Sequence, residues 1–319
     1  MRPGSQAGGA PAKRQAPLTE RLVARAQRIG RRFGLHVLTE SLESPVARMP
    51  PPDSEIWNRR SALAGVRFDS AAQVRLLELS LAPYVSEFDS VVRFPATGPG
   101  FPLWNGYYQA GDAELLYAII RHFRPRRILE LGSGYSTFVS AAAALQNARE
   151  GSPADLMAVD PAPRAELSAG IEGLAGVELR DSRELSLEWF DQLGPNDILF
   201  IDSSHAVKLG GELQWLVLDV LPRLRENVLV HFHDVFLPYE YPRPLFELWP
   251  YFNEQYLLHA FLIGNTEWEV LLGAAMLLRD HPERVQRLIP SLSERRPRLP
   301  WSPYLPGAFW LQRRAVAHS

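Results

Sequence analysis

Residues 127–134 read Arg-Ile-Leu-Glu-Leu-Gly-Ser-Gly, a short apolar strand that ends in an acid and then breaks into glycines. Such a strand delivers a carboxylate and a bare backbone turn to one place. The ends of the later strands narrow the fold further. Asp160 closes a second strand, Asp202 closes Asp-Ile-Leu-Phe-Ile-Asp, and His233-Asp234 closes Asn-Val-Leu-Val-His-Phe-His-Asp. Polar residues gathered at the carboxyl ends of successive strands mark the ligand crevice of an open α/β sheet.

The pattern predicts strands near 127–131, 155–160, 176–180, 197–202 and 227–233, separated by helices such as Ser136 to Gln146 and Leu209 to Leu224. Strands alternating with helices of that length argue for βαβ units and a parallel sheet covered on both faces. A helical stretch around 244–262 comes next, then strand candidates Trp268 to Leu272 and Gly307 to Arg313 flanking a helical run Ala275 to Ile289. Ahead of the sheet, Gly111-Asp112 opens a helix Ala113 to Phe123. Residues 70–84 read as a helix and 94–108 as a loop carrying Trp104, Tyr107 and Tyr108.

The chain of 319 residues, 46% hydrophobic, suffices for one large α/β domain with an additional segment. Residues 1–18 are expected to be a disordered tail, because Gly, Pro, Ala and Gln cannot offset their own ordering entropy. From Thr19, apolar Leu22, Val23, Ala26, Ile29 and Phe33 recur at helical spacing among arginines, which predicts a packed helix with a solvated basic side, a membrane-surface or partner helix being the competing reading. Met49-Pro50-Pro51-Pro52 marks a linker. Residues 19–110 are expected to form a helical extension or lid, and residues 111–319 the main domain.

A formal charge of −2 argues against a surface built for nucleic acid. The absence of cysteine removes disulfides, thiolate nucleophiles and cysteine-bound zinc. No apolar run approaches the roughly 20 residues that span a bilayer, and the N-terminus lacks the apolar core of a secretory signal. A cytoplasmic, bacterial protein is the expectation, the arginine bias being read as the mark of a GC-rich genome.

Two ligands compete for Gly132-Ser133-Gly134-Tyr135-Ser136-Thr137. A dinucleotide fingerprint wants a third small residue where Thr137 stands. Glu130 also disfavours NAD, since an acid two residues before the first glycine suits an ammonium group better than a pyrophosphate. On Glu130-Leu-Gly-Ser-Gly-Tyr-Ser-Thr137, Ala158-Val-Asp160-Pro, Leu199-Phe-Ile-Asp202-Ser-Ser-His205 and His231-Phe-His-Asp-Val-Phe-Leu-Pro238, residues 126–313 resemble a class I S-adenosylmethionine-dependent methyltransferase. In spacing and setting these four segments resemble a bacterial branch related to cephalosporin-hydroxylase-type and macrolide-sugar O-methyltransferases.

The resemblance implies a Rossmann-like, doubly wound, seven-stranded sheet, mostly parallel with an antiparallel last strand. It implies that Glu130, Gly132, Ser133, Gly134, Tyr135 and Ser136 meet the methionine end of S-adenosylmethionine, that Asp160 accepts from the ribose hydroxyls and that Asp181 lies near the adenine. An ordinary helix N-cap before residues 183–190 is the competing reading of Asp181. Tyr107 lies in the segment that leads into the first sheet helix and is expected over the cofactor, or else packed between the N-terminal segment and the sheet.

Asp202 and Asp234 end adjacent strands, and the resemblance implies that they hold a divalent metal such as Mg or Mn. His233 stands where relatives often carry an acid, so it is either a ligand that shifts metal preference or a general base. His205, three residues beyond Asp202, is a second candidate base or ligand, with a local hydrogen-bonding role as the competing reading. The competing readings are that Asp234 caps the following segment and that Asp202 fixes the loop Ser203-Ser204. His231 is expected in the core.

The function implied is methyl transfer to an oxygen of a small molecule, with metal or histidine assistance. The alternatives are an N-methyltransferase on the same fold, a non-catalytic binding module and, least favoured, an NAD-dependent oxidoreductase. Assembly into a homo-oligomer is left open.

Overall fold

The structure is a computed structural model that describes residue 29 and residues 49–96, 100–294 and 305–315. The tail 1–18 and, apart from Ile29, the helix expected from Thr19 lie outside the described residues. Contacts group residues 49–319 as one unit.

Seven strands form one sheet: β1 (Arg127–Leu131), β2 (Asp155–Val159), β3 (Gly176–Glu178), β4 (Ile198–Ile201), β5 (Leu229–Phe232), β6 (Trp268–Gly273) and β7 (Phe309–Arg313). Their order is β3-β2-β1-β4-β5-β7-β6. Neighbours from β3 to β5 pair in parallel, and β7 runs antiparallel between β5 and β6. The fold is therefore the expected Rossmann-like, mostly parallel sheet with an antiparallel last strand. The order reverses between β1 and β4, which opens a crevice at the carboxyl ends of those two strands.

β4 and β5 are buried along their whole length, as strands covered on both faces must be. Alternation splits them between two cores: Ile128, Ile198, Phe200 and Leu229 face one, and Leu129, Leu199, Ile201 and Val230 the other. Glu130, two residues beyond Ile128, therefore lies on the face covered by the helix Tyr135–Arg149. Asp197 fixes the register at the other end of β1, its carboxylate accepting from the amides of Arg126 and Arg127 at 2.9 Å each.

Several helices differ in length from the sequence pattern. The expected helix 70–84 runs on to Arg93 as Ser70–Arg75, Leu76–Leu81, Ala82–Phe88 and Asp89–Arg93, the second and fourth being π-wound. The helix expected over 209–224 divides into Glu212–Trp215, a π-wound Leu216–Val220 and a 3-10 turn Leu221–Arg223. Pro83 and Pro222 each follow a π-wound piece, and a residue without an N–H frees the carbonyl a turn earlier. The stretch 244–262 splits into Arg243–Leu248 and Glu254–Leu262, with Pro250 in the gap, and Ala275 to Ile289 splits ahead of Pro282.

The N-terminal helices pack on the same core as Asp112–Phe123 and one face of the sheet. Arg121, buried on that helix, pairs with Glu87 at 2.7 Å and with Glu150 at 2.5 Å, tying the layers together.

Candidate active site

The turn after β1 is built around one glycine. Gly132 has φ 88°, and a Cβ there would stand 2.0 Å from the carbonyl oxygen of Asp202. No other residue fits that approach. It brings the end of β4 against the end of β1, with the Asp202 amide donating to Leu131 O at 3.0 Å. Gly134 precedes the helix Tyr135–Arg149, and its amide donates to Thr137 Oγ1 at 3.0 Å. Thr137 thus caps the turn, a role that explains a hydroxyl where a dinucleotide fingerprint has a small residue.

Glu130 is fully buried. Its Oε1 accepts from Ser136 Oγ at 2.6 Å and Thr137 Oγ1 at 3.0 Å, while Oε2 has no hydrogen-bond partner. Burial raises its carboxyl to about 8 against the lowering by those two hydroxyls. A buried carboxyl oxygen without a partner is costly, and an ammonium group would supply both a donor and the charge that favours ionisation of the acid. Asp160 accepts from Ser133 Oγ at 2.7 Å and from the Ala162 amide at 2.8 Å.

Two crevices open at this end of the sheet. The first, of ≈ 390 Å³, is lined by Gly132, Asp160, Asp181, Asp202, Lys208 and Glu212 among others. The second, of ≈ 410 Å³, is lined by Tyr107, His205, His233, Asp234 and an aromatic wall of Trp249, Tyr251 and Phe252. Asp202, Ser203 and Ser204 line both. Gly132, Asp160, Asp181 and Asp202 are thus brought together, whereas Glu130, Ser133, Gly134, Tyr135 and Ser136 line neither crevice.

Asp181 caps the 3-10 turn Ser182–Glu184, accepting from the Arg183 amide at 2.9 Å, and also pairs with the Arg183 guanidinium. Asp181 thus caps a shorter helix than expected and also lines the first crevice. Tyr107 is 69% exposed and stacks on Tyr135 with centroids 6.3 Å apart. Asn105 shapes that loop by accepting from the amides of both Tyr107 and Tyr108.

Two histidines and two aspartates meet where the crevices join. His205 Nε2 lies 3.3 Å from Asp202 Oδ1 and 3.8 Å from Asp234 Oδ2. His233 Nδ1 lies 3.7 Å from each of the same two oxygens, and its Nε2 lies 3.5 Å from Asp112 Oδ2. Asp112 is anchored by the Ala308 amide at 2.7 Å.

Burial pushes the Asp202 carboxyl up, but His233 and His205 outweigh it and hold it well below the usual range. Burial lowers His233, and Asp234, Asp202 and Asp112 more than reverse this, to about 10. His205 is likewise raised against burial by Asp202 and Glu254. Burial raises Asp234 against its two imidazole neighbours. Both rings are therefore cationic near neutral pH.

The set Asp202, Asp234 and His233, expected as metal ligands, comes together as ion pairs. Among the described residues no group of three or more His, Asp or Glu has an arrangement that could hold a metal ion. The physical reason is that the imidazoles themselves sit as counter-ions between the carboxylates. His231 is a core residue as expected, with its ring centroid 4.2 Å from that of Phe200 and 4.6 Å from that of Trp310, and burial holds it neutral.

Sequence reasoning missed Asp112 and Glu254. Both open helices, where an acid reads as a response to the helix dipole, and no local signal ties either one to a histidine far along the chain.

A sheet of this order, with a glycine turn at its switch point and an acid closing each of the next two strands of the crevice, places a ligand site where an open α/β sheet has one. Residues 129–235 match the family model described as a methyltransferase domain. An uncharacterized protein of Archaeoglobus fulgidus is 28% identical over 185 residues, covering 50% of this chain and 80% of its own length. Among solved structures, apo CmcI is 14% identical, covering 66% of this chain and 73% of its own, with a TM-score of 0.32. CmcI with Mg and SAM is 14% identical, covering 72% of this chain and 84% of its own, with a TM-score of 0.32. At those scores the structural likenesses carry no assignment for this chain. Among the described residues no helix is long and apolar enough to cross a membrane.

Proposed function

We propose that the chain transfers the methyl group of S-adenosylmethionine to an oxygen of a small molecule bound in the aromatic-walled crevice. The observation that carries this is that Asp202, Ser203 and Ser204 line both crevices, so ligands in the two would meet there. Residues 111–319 form the cofactor-binding domain in this reading. Glu130 Oε2 suits the ammonium of the methionine end, Asp160 the ribose hydroxyls, and the Gly132–Gly134 turn the carboxylate.

The chemistry needs an acceptor oxygen stripped of its proton and aligned with the methyl carbon. His205 and His233, both cationic, favour the deprotonated acceptor electrostatically, and its proton leaves to solvent as it binds. The oxyanion then forms a bond to the methyl carbon as the carbon–sulfur bond breaks, and the sulfonium becomes a neutral thioether. Asp202 and Asp234 keep the imidazoles charged and in place.

Metal assistance is a second reading, and it needs Asp202, Asp234 and the two imidazoles to leave their ion pairs, since among the described residues no three of them stand as they would around a metal ion. Asp202 and Asp234 would hold the ion, which would lower the acceptor's pKa. Such a set suits Mn, Fe or Zn over Mg.

The test is methyl transfer from labelled S-adenosylmethionine to a panel of hydroxylated small molecules, after EDTA and after Mn²⁺. Transfer that survives EDTA supports the imidazolium route, transfer restored only by the metal supports the second reading, and transfer to amines alone sinks the oxygen acceptor.

A further inference from the structure

We infer that Glu254 is a positioning residue for His205, part of a clamp of three consecutive residues that fixes the ring with Nε2 toward the acceptor crevice. Resting on the reading of His205 as a group that acts on the acceptor, the clamp adds a residue 49 positions away in sequence.

Each of Phe252, Asn253 and Glu254 touches His205 or its loop differently. The ring of Phe252 stacks on the imidazole, centroids 4.4 Å apart and planes at 26°. The Asn253 amide donates to His205 O at 3.1 Å, and Asn253 Oδ1 accepts from the Val207 amide at 2.6 Å. Glu254 Oε1 lies 3.1 Å from His205 Nδ1. The face, the backbone and one ring nitrogen of His205 are thereby all held by the segment that opens the helix Glu254–Leu262.

His205 needs such restraint, because its φ is 55°, in the left-handed region. A residue there stays put only when its surroundings over-determine it. With Nδ1 committed to Glu254, only Nε2 is left for the crevice, and it is the nitrogen 3.3 Å from Asp202 Oδ1. Glu254 is 3% exposed, and its ion-pair partner among the described residues is His205, so a surface ion pair does not explain its burial. The imidazole is its counter-charge. A buried acid that orients a histidine through one nitrogen and frees the other for chemistry is a recurrent way to fix ring orientation.

The test is proton–nitrogen NMR of the full chain labelled at histidine nitrogen and saturated with S-adenosylhomocysteine. The His205 signals are assigned by their loss in His205→Ala. In the wild type we expect a downfield, slowly exchanging Nδ1 proton. Glu254→Gln should move it upfield and speed its exchange at least about tenfold, the size of losing a charged acceptor, while Glu254→Asp should restore part of the shift. Far-UV circular dichroism and S-adenosylhomocysteine affinity serve as folding controls. An Nδ1 proton unchanged by Glu254→Gln and Glu254→Ala would overturn the inference. A chain that did not bind the cofactor would show it in the affinity control and leave the ring signals to be compared without ligand, so the two failures are distinguishable.

Discussion

If Glu130 meets the ammonium of S-adenosylmethionine, binding must expel a proton. In the free protein the Glu130 carboxyl stands at about 8, so at pH 7 the protonated fraction is 1/(1 + 10^(7−8)), or about 0.9. A cation held against Oε2 favours the ionised form, so formation of the complex should release about 0.9 proton at pH 7. Affinity should then rise with pH, about tenfold per unit below pH 8, as long as the bound carboxyl stays ionised. Calorimetric titration at pH 7 in buffers of different ionisation enthalpy reads the released proton as the slope of observed heat against buffer heat. Glu130→Gln keeps an acceptor for Ser136 and Thr137 but removes the charge. It should abolish the slope and weaken binding roughly 10- to 150-fold, the loss of one charge-assisted hydrogen bond. Flat heat across buffers, together with unchanged affinity in Glu130→Gln, would refute the contact and leave Glu130 as a structural acid tying β1 to the next helix.

Other consequences come from particular geometries. Gly132→Ala places a Cβ 2.0 Å from Asp202 O at φ 88°, so the melting temperature should fall by several degrees, on the scale of at least ~2 kcal/mol; an unchanged melt would contradict the claim that only glycine fits the turn. Asp202→Asn should remove methyl transfer while S-adenosylhomocysteine still binds, and equal loss of both in titration and transfer assays would argue for a purely structural carboxylate. Glu114 is buried and raised to about 7 by that burial, against hydrogen bonds from Ser291 and the Gly111 amide. Between about pH 4.5 and 7 the unfolded chain has lost this proton and the folded chain keeps it, so stability falls as pH rises, by on the order of 3 kcal/mol. Urea unfolding at pH 5 and pH 8 should show a smaller difference in Glu114→Gln than in the wild type.

The sheet was readable from sequence because buried parallel strands are continuous apolar runs and their ends carry the acids. Leu199-Phe-Ile-Asp202 and Val230-His-Phe-His233 name both the strand and its exit. Helix continuity was less readable, because Pro83, Pro222, Pro250 and Pro282 act through backbone bonds that an apolar period does not register. The turn at Gly132 was legible as a turn, but the reason for it, the carbonyl of Asp202 beside its Cα, belongs to the tertiary fold. Asp202, Asp234, His205 and His233 were found by their position at strand ends. Their mutual neutralisation was not, since the charge of each ring depends on burial and on acids such as Asp112 and Glu254 brought in by other helices.

Calorimetric titration of the full chain with S-adenosylhomocysteine and with NAD, repeated on Asp160→Ala, tests the cofactor site most directly. One site is expected for the adenosyl ligand, none for NAD, and a loss of at least about tenfold in Asp160→Ala, because the ribose hydroxyls lose a charged acceptor. No adenosyl binding, or binding indifferent to Asp160, would contradict the placement of the cofactor in the crevice between β1 and β4.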